Sequence, residues 1–216
     1  MFETALKKIR SEGVRGVLLD LDNTLYEYDP CHRSAFEACS KKFRALFPSV
    51  SANGFKKLYA KAQRAVKHRI PTQAASHSRL LYFQTLLEEF SGTTDVRLAL
   101  TLETLYWKSF FSKMKLRSGA FTFLRVLRGA HVRVCIVTDL TAHIQFEKLR
   151  KLKLDRYVDF VVSSEETGIE KPYPAVFQLA LKKLQLRPSG VMMVGDDHGR
   201  DVRGAKKLGI RTVRIR

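Results

Sequence analysis

Two aspartates, Asp20 and Asp22, close the apolar run VRGVLLDLD. In an extended strand the side chains at i and i+2 share a face, so both carboxylates can reach one reaction centre where the strand becomes a loop. Three other apolar runs lead into groups of matching chemistry. VRVCIVTD ends in Thr138 and Asp139, YVDFVVSS leads into Gly168-Ile169-Glu170-Lys171-Pro172, and GVMMVGDD ends in Gly195-Asp196-Asp197 with Asp201 just beyond. Acids do not gather at the ends of apolar strands without a cation nearby, because a buried carboxylate is costly unless it is paired. A hard cation with oxygen ligands meets that need, and Mg²⁺ suits sites built from carboxylates together with a substrate phosphate.

The elements that must position these groups are legible in the hydrophobic pattern. Strand signals cover about 14–22, 132–139, 157–164, 190–197 and 211–215. They are continuously apolar rather than alternating, which marks strands buried on both faces of a parallel sheet. Amphipathic helical stretches at Ala120–Arg128, Ala142–Leu152, Ala175–Leu184 and Arg200–Leu208 alternate with the strands. The pattern predicts an α/β fold, an open, doubly wound parallel sheet, whose ligand site lies beyond the carboxyl ends of the strands. Residues 29–115 break the alternation. They carry four helix-like stretches, roughly 31–47, 52–69, 73–90 and 94–112, split by Pro48, Pro71 and Ser91-Gly92. The expected organisation is an α/β core from 1–28 and 116–216, interrupted by an all-helical insert over 29–115.

The motifs in this order resemble the haloacid dehalogenase-like superfamily. DLDNTL from Asp20 to Leu25 matches its first motif, D-x-D-x-T followed by an apolar residue, and VCIVT ending at Thr138 matches its second. EKPYP supplies the third-motif lysine, Lys171, and GDDHGRD from Gly195 to Asp201 matches the fourth. The resemblance covers residues 14–216, strongly in 14–28 and 118–216 and weakly in the insert.

What the resemblance implies is a Rossmann-like core with a helical cap and a phosphatase mechanism. Asp20 would be the nucleophile that forms an aspartyl-phosphate, and Asp22 the group that protonates the leaving oxygen and then activates water. Mg²⁺ would be held by the Asp20 carboxylate, the Asp22 backbone carbonyl and Asp196, with Asp201 in support. Thr138 would donate to a phosphoryl oxygen and Lys171 would offset negative charge. True dehalogenases of the superfamily lack the second aspartate, so Asp22 favours phosphate ester hydrolysis. Relatives often carry Asn-Gly after the motif-two hydroxyl where this chain has Asp139-Leu140. Asp139, beside the bound phosphate, is expected to turn away and cap the following helix, with the backbone N–H still available. In the insert, His77 and Arg79 are either substrate contacts or helix-packing residues. Asp197 is either a supporting acid or a loop residue.

Composition bounds the rest. The 216 residues carry 39 Lys and Arg against 21 acids, a net charge of +18. Ala38 to Leu87 contains no acid at all. This is either a solvated basic face or a guide for anions, and it supports an alternative in which the basic cap binds nucleic acid or another polyanion. No apolar run is long enough to span a bilayer. The polar N-terminus lacks a secretory signal, and the three cysteines have no C-x-x-C spacing. The expectation is a cytoplasmic enzyme acting on a small phosphorylated metabolite, with no membrane partner.

Overall fold

The computed structural model describes residues 2–215, so the ends of the expected N-terminal segment and of the core, Met1 and Arg216, lie outside the described residues. The chain forms two compact units, one from Met1–Glu27 and Lys115–Arg216, the other from Tyr28–Met114.

The first unit is built on a five-stranded sheet: β1 (Gly16–Leu19), β2 (Arg133–Thr138), β3 (Phe160–Ser163), β4 (Val191–Gly195) and β5 (Arg211–Arg214). The order is β3-β2-β1-β4-β5, and every pairing is parallel. β1, β4 and all but the first residue of β2 are buried throughout, as the uninterrupted apolar runs predicted. Leu18, Cys135, Val162 and Met193 from four adjacent strands pack with Val176, Phe177 and Ala180 of the helix Pro174–Leu184. The helices Phe2–Ser11, Ala120–Gly129 and Ala142–Lys151 complete the alternation.

Register places the chemistry. Leu19 stands opposite Ile136 of β2 and Val194 of β4. The sheet then holds one more residue, because the Asp20 N–H donates to the Val194 carbonyl at 3.0 Å. β2 runs on to Thr138 and β4 to Gly195. The carboxyl ends of the three central strands therefore finish together, with Asp20 on the middle one.

The last helical stretch differs from expectation. A single helix is predicted over Arg200–Leu208, whereas the chain forms a π-helical turn, His198–Arg203, followed by the short helix Gly204–Lys206. Asp197 caps the turn, its Oδ1 accepting from the N–H groups of Gly199 (2.7 Å) and Arg200 (2.9 Å).

The second unit is helical: Tyr28–Leu46, Ala52–Arg69, Arg79–Ser91 and Val96–Lys113. The third stretch is shorter than predicted. Residues Ala74–His77 form a separate 3₁₀ turn, and Ser78 begins the helix by accepting the Leu81 N–H. Its core is aromatic, with Phe43, Phe55, Tyr82, Phe83, Tyr106 and Phe110 fully buried. Of the basic residues in the acid-free stretch, Lys41, Lys42, Arg44, Lys56, Lys57, Lys61, Arg64, Lys67 and Arg69 are exposed or nearly so, whereas Arg79 is 5% exposed.

Candidate active site

Asp20 occupies the centre of the carboxyl edge and is 4% exposed. Its Oδ1 accepts from Lys171 Nζ at 2.7 Å, and its Oδ2 from the Thr24 hydroxyl at 2.7 Å. Asn23, two residues before the end of this turn, takes a positive φ of 62°, a conformation that Asn tolerates better than most residues. The tight turn brings the Thr24 hydroxyl back over the strand end.

Lys171 ties the strand ends together. Its three ammonium protons go to Asp20, to Asp201 Oδ1 at 2.7 Å and to the Val137 carbonyl at 3.0 Å. The loop that carries it has a cis Lys171–Pro172 bond, and Pro174 opens the following helix at its first turn, where a missing N–H costs nothing. Asp201 Oδ2 accepts the Asp197 N–H at 3.0 Å. Asp201 also lies so close to Gly195 that a Cβ there would fall 2.5 Å from its Cγ.

The donor set suits a divalent cation. Ligand oxygens of Asp20, Asp196 and Asp201 all lie within 4.8 Å of one another. Burial pushes Asp20 up to about 7, with Asp201 adding to the rise and Lys171 opposing it. Burial, and after it the charge of Asp20, raises Asp196. One lysine does not balance these acids, and a hard cation of charge two would.

Asp22 faces elsewhere. Its Oδ1 accepts from Lys148 Nζ at 2.6 Å and from the Tyr26 hydroxyl, and its Oδ2 from Gln145 Nε2 at 3.1 Å. Burial raises this carboxyl, but the charge of Lys148 and the donated bonds outweigh it and hold the group below its ordinary range. The sequence reading assigned no role to Lys148, Gln145 or Tyr26 in holding Asp22. Lys148 and Gln145 sit three apart on the helix after β2, so one face carries both, and only the sheet order shows which carboxylate that face meets. The same Gln145 nitrogen also lies 2.8 Å from the Asp139 carbonyl and within hydrogen-bond reach of the fully buried Thr138 hydroxyl, so its two N–H groups are shared among three acceptors.

Asp139, expected to cap the following helix, caps none. Its Oδ1 accepts the Lys171 backbone N–H at 2.9 Å, and its Oδ2 lies 3.3 Å from Arg200. The helix begins at Ala142, too far along for Asp139, and Glu165 accepts the Ala142 N–H instead. The Leu140 N–H, expected to stay available, donates to Ser164 Oγ at 2.9 Å. Leu140 adopts a φ of 123°, a region that favours glycine.

Arg79 belongs to the helical unit. Its guanidinium donates to the Tyr28 hydroxyl and the His77 carbonyl, and it lies 5.3, 5.0 and 5.6 Å from the ring centroids of Tyr82, Tyr106 and Trp107. Its Nε has no hydrogen-bond partner.

The doubly wound sheet thus carries a buried aspartate, a buried lysine and a cluster of acids at its carboxyl edge. The profile of the family described as "Hydrolase: haloacid dehalogenase-like hydrolase" matches residues 14–209, and the chain belongs to that family. It is 41% identical over 197 residues to a ribulose-1,5-bisphosphate 5-phosphatase of Halopiger xanaduensis, covering 91% of this chain and 82% of the relative. It is 32% identical to a glyceraldehyde 3-phosphate phosphatase of Methanopyrus kandleri, covering 94% and 84%. In fold it is similar to the crystal structure of a 2-haloacid dehalogenase from Pseudomonas syringae pv. Tomato, with a TM-score of 0.76, 22% identity and coverage of 93% and 86%.

Proposed function

We propose that the protein is a Mg²⁺-dependent phosphatase that hydrolyses a small phosphomonoester through an aspartyl-phosphate on Asp20. The observation that carries this reading is the Asp20 carboxylate, buried and fixed from two sides by Lys171 and Thr24, with Asp22 two residues on. Both relatives named above bear phosphatase names and act, by those names, on small sugar phosphates. A small phosphorylated metabolite is the substrate class we assign.

In the first half-reaction an Asp20 oxygen bonds to phosphorus, the bond from phosphorus to the ester oxygen breaks, and that oxygen takes a proton from Asp22, whose protonated form the negative charge of the bound phosphate favours against the pull of Lys148. In the second, water attacks phosphorus, gives its proton to Asp22 and releases Asp20 as a carboxylate together with inorganic phosphate. Thr138, whose oxygen accepts from Gln145, keeps its own proton to donate to a phosphoryl oxygen. Lys171 offsets the charge that gathers on Asp20, Asp201 and the phosphate. Mg²⁺ would be held by Asp20, Asp196 and the Asp22 carbonyl with Asp201 in support, and when bound it supplies the positive charge that the acids lack. Asp139 acts at the substrate's phosphate indirectly, by fixing the backbone of Lys171.

Arg79 we assign to a second anionic group of the substrate. Among the described residues no carboxylate pairs with this buried guanidinium and its Nε has no hydrogen-bond partner, so an anion would complete its pairing. The free, buried cysteines fit a reducing, cytoplasmic setting, and among the described residues no helix is long and apolar enough to cross a membrane.

The test is release of phosphate from p-nitrophenyl phosphate and from a panel of sugar phosphates. Activity should vanish with EDTA, return with Mg²⁺, and be absent in Asp20→Asn. Full activity of Asp20→Asn would overturn the mechanism, and full activity in EDTA would remove the metal.

A further inference from the structure

Lys148 is 1% exposed, and its ammonium meets a carboxylate, Asp22, that is itself 28% exposed at its side chain. Burying an ammonium costs several kcal/mol, about what a paired carboxylate returns, so pairing with a partly open carboxylate is not the cheapest way to fill this space. The Lys148 Nζ also lies 5.8 Å from the centroid of the Tyr26 ring, a cation–π contact near the limit of range. The lysine is better explained by what it does to Asp22.

Asp22 lies past the end of β1, where an isolated bridge to Tyr26 holds its backbone but does not set the direction of its side chain. A carboxylate there has two rotatable bonds and several directions open to it. Three donors remove that freedom. Lys148 and Tyr26 approach Oδ1, and Gln145 approaches Oδ2. The amide nitrogen of Gln145 faces three acceptors, so its two N–H groups share them. Turned the other way, its oxygen would face the Asp22 carboxylate and the Asp139 carbonyl, both acceptors. The same amide nitrogen bonds the Thr138 hydroxyl. One helical face thus sets the direction of the proton-transfer group and of the phosphate-binding hydroxyl together.

We propose that Lys148, assisted by Gln145 and Tyr26, is a positioning residue that aims the Asp22 carboxylate along the line of proton transfer. The inference rests on the reading of Asp22 as acid and base given above. Lys148 touches neither substrate nor phosphorus in this scheme. It acts through Asp22, whose proton goes to the ester oxygen in the first half-reaction and is replaced from water in the second.

The consequence is specific to proton transfer. An ester with a poor leaving group needs the proton from Asp22, and one with a good leaving group, such as p-nitrophenol, departs without it. Hydrolysis of the phosphoenzyme needs Asp22 in both cases. Misaligning the carboxylate by about 1 Å costs on the order of 100-fold in rate.

The experiment compares glycerol 3-phosphate and p-nitrophenyl phosphate in the Mg²⁺-loaded enzyme, wild type and Lys148→Met. We expect kcat on the alkyl ester to fall about 100-fold with KM within a few-fold, and the aryl ester to give a burst of p-nitrophenol followed by a slow steady state. Lys148→Arg, which keeps a charged donor, should recover part of kcat. Tyr26→Phe removes one donor and keeps the ring, and it should show the same pattern more weakly, which decides the matter if Lys148→Met does not fold. Equal losses on both esters with no burst, or an unchanged kcat, overturns the proposal. Asp22→Asn is run alongside. If it shows the leaving-group split and the lysine variants do not, the positioning role fails alone. If Asp22→Asn gives neither a burst of p-nitrophenol on the aryl ester nor a fall in kcat on the alkyl ester, the acid–base reading beneath it fails.

Discussion

The Thr24 hydroxyl donates to Oδ2 of Asp20 at 2.7 Å, from four residues further along the same turn. With Lys171 on Oδ1, this leaves the carboxylate one orientation. The bond is buried, with Thr24 fully enclosed, and it reaches towards Asp196 as well at 3.4 Å.

Thr24→Val keeps the shape and removes the donor. We expect a loss of about 1 kcal/mol in stability and a fall of about 10–100-fold in kcat, the usual penalty for deleting a partner that orients a ligating carboxylate. Thr24→Ser should restore most of both. Chemical denaturation and steady-state kinetics on the same preparations check this, and wild-type kcat in the valine variant would refute it.

Most of the fold was legible from the residues because both-face burial writes uninterrupted apolar runs. β1, β2 and β4 stand where those runs stand, and the chemistry falls at their ends. Asp20, Thr138, Lys171, Asp196 and Asp201 could be placed at the carboxyl edge for the same reason. What escaped was set by neighbours far away in the chain. Nothing near Lys148 in sequence says that its helix lies against Asp22, which is 126 residues away. The role of Asp139 was misread as a local cap, because Asx capping is the local rule and its true partner, the Lys171 N–H, is 32 residues distant. The π-helical turn after Asp197 was missed because its residues fit an ordinary helical period equally well.

Gly195→Ala should be far more damaging than its size suggests. A methyl at this strand end would overlap the Asp201 carboxylate, its Cβ 2.9 Å from the Asp201 Cβ as well. Neither side can retreat easily, since Gly195 pairs with Arg214 of β5 and Asp201 is held by Lys171 and the Asp197 N–H. Overpacking of this kind costs about 1–3 kcal/mol. If the displaced Asp201 supports the metal as proposed, Mg²⁺ should stabilise the variant against heat much less than it stabilises wild type. Equal thermal shifts with Mg²⁺ in the two proteins would contradict the assignment.

His32 gives the helical unit a dependence on pH. Burial, and after it the charge of Arg79, lowers this imidazole to about 4, with Asp29 opposing. Its Nδ1 lies 2.7 Å from the Tyr106 hydroxyl, and its ring stacks on Tyr28 with centroids 5.6 Å apart. The native state therefore keeps His32 neutral in a range where the unfolded chain, with an ordinary histidine pKa, takes up a proton. The stability contributed is whole above about 6.5 and is lost as pH falls through about 4. Allowing for the partial exposure of the ring, the loss should reach about 1–3 kcal/mol. Urea denaturation between pH 7 and pH 4 should show a smaller slope in His32→Gln than in wild type, and identical slopes would exclude this histidine as the source.

The sheet order β3-β2-β1-β4-β5 puts the earliest strand in the middle. On a ribosome, β1 is made first and its partner β4 begins only at Val191. Through most of synthesis one edge of the central strand has nothing to bond, and the apolar surface that will become the interior is still uncovered. Such an edge invites pairing with another nascent copy. The exposed lysines and arginines of the helical unit emerge during that wait. Like charges on two such chains repel, which opposes that pairing.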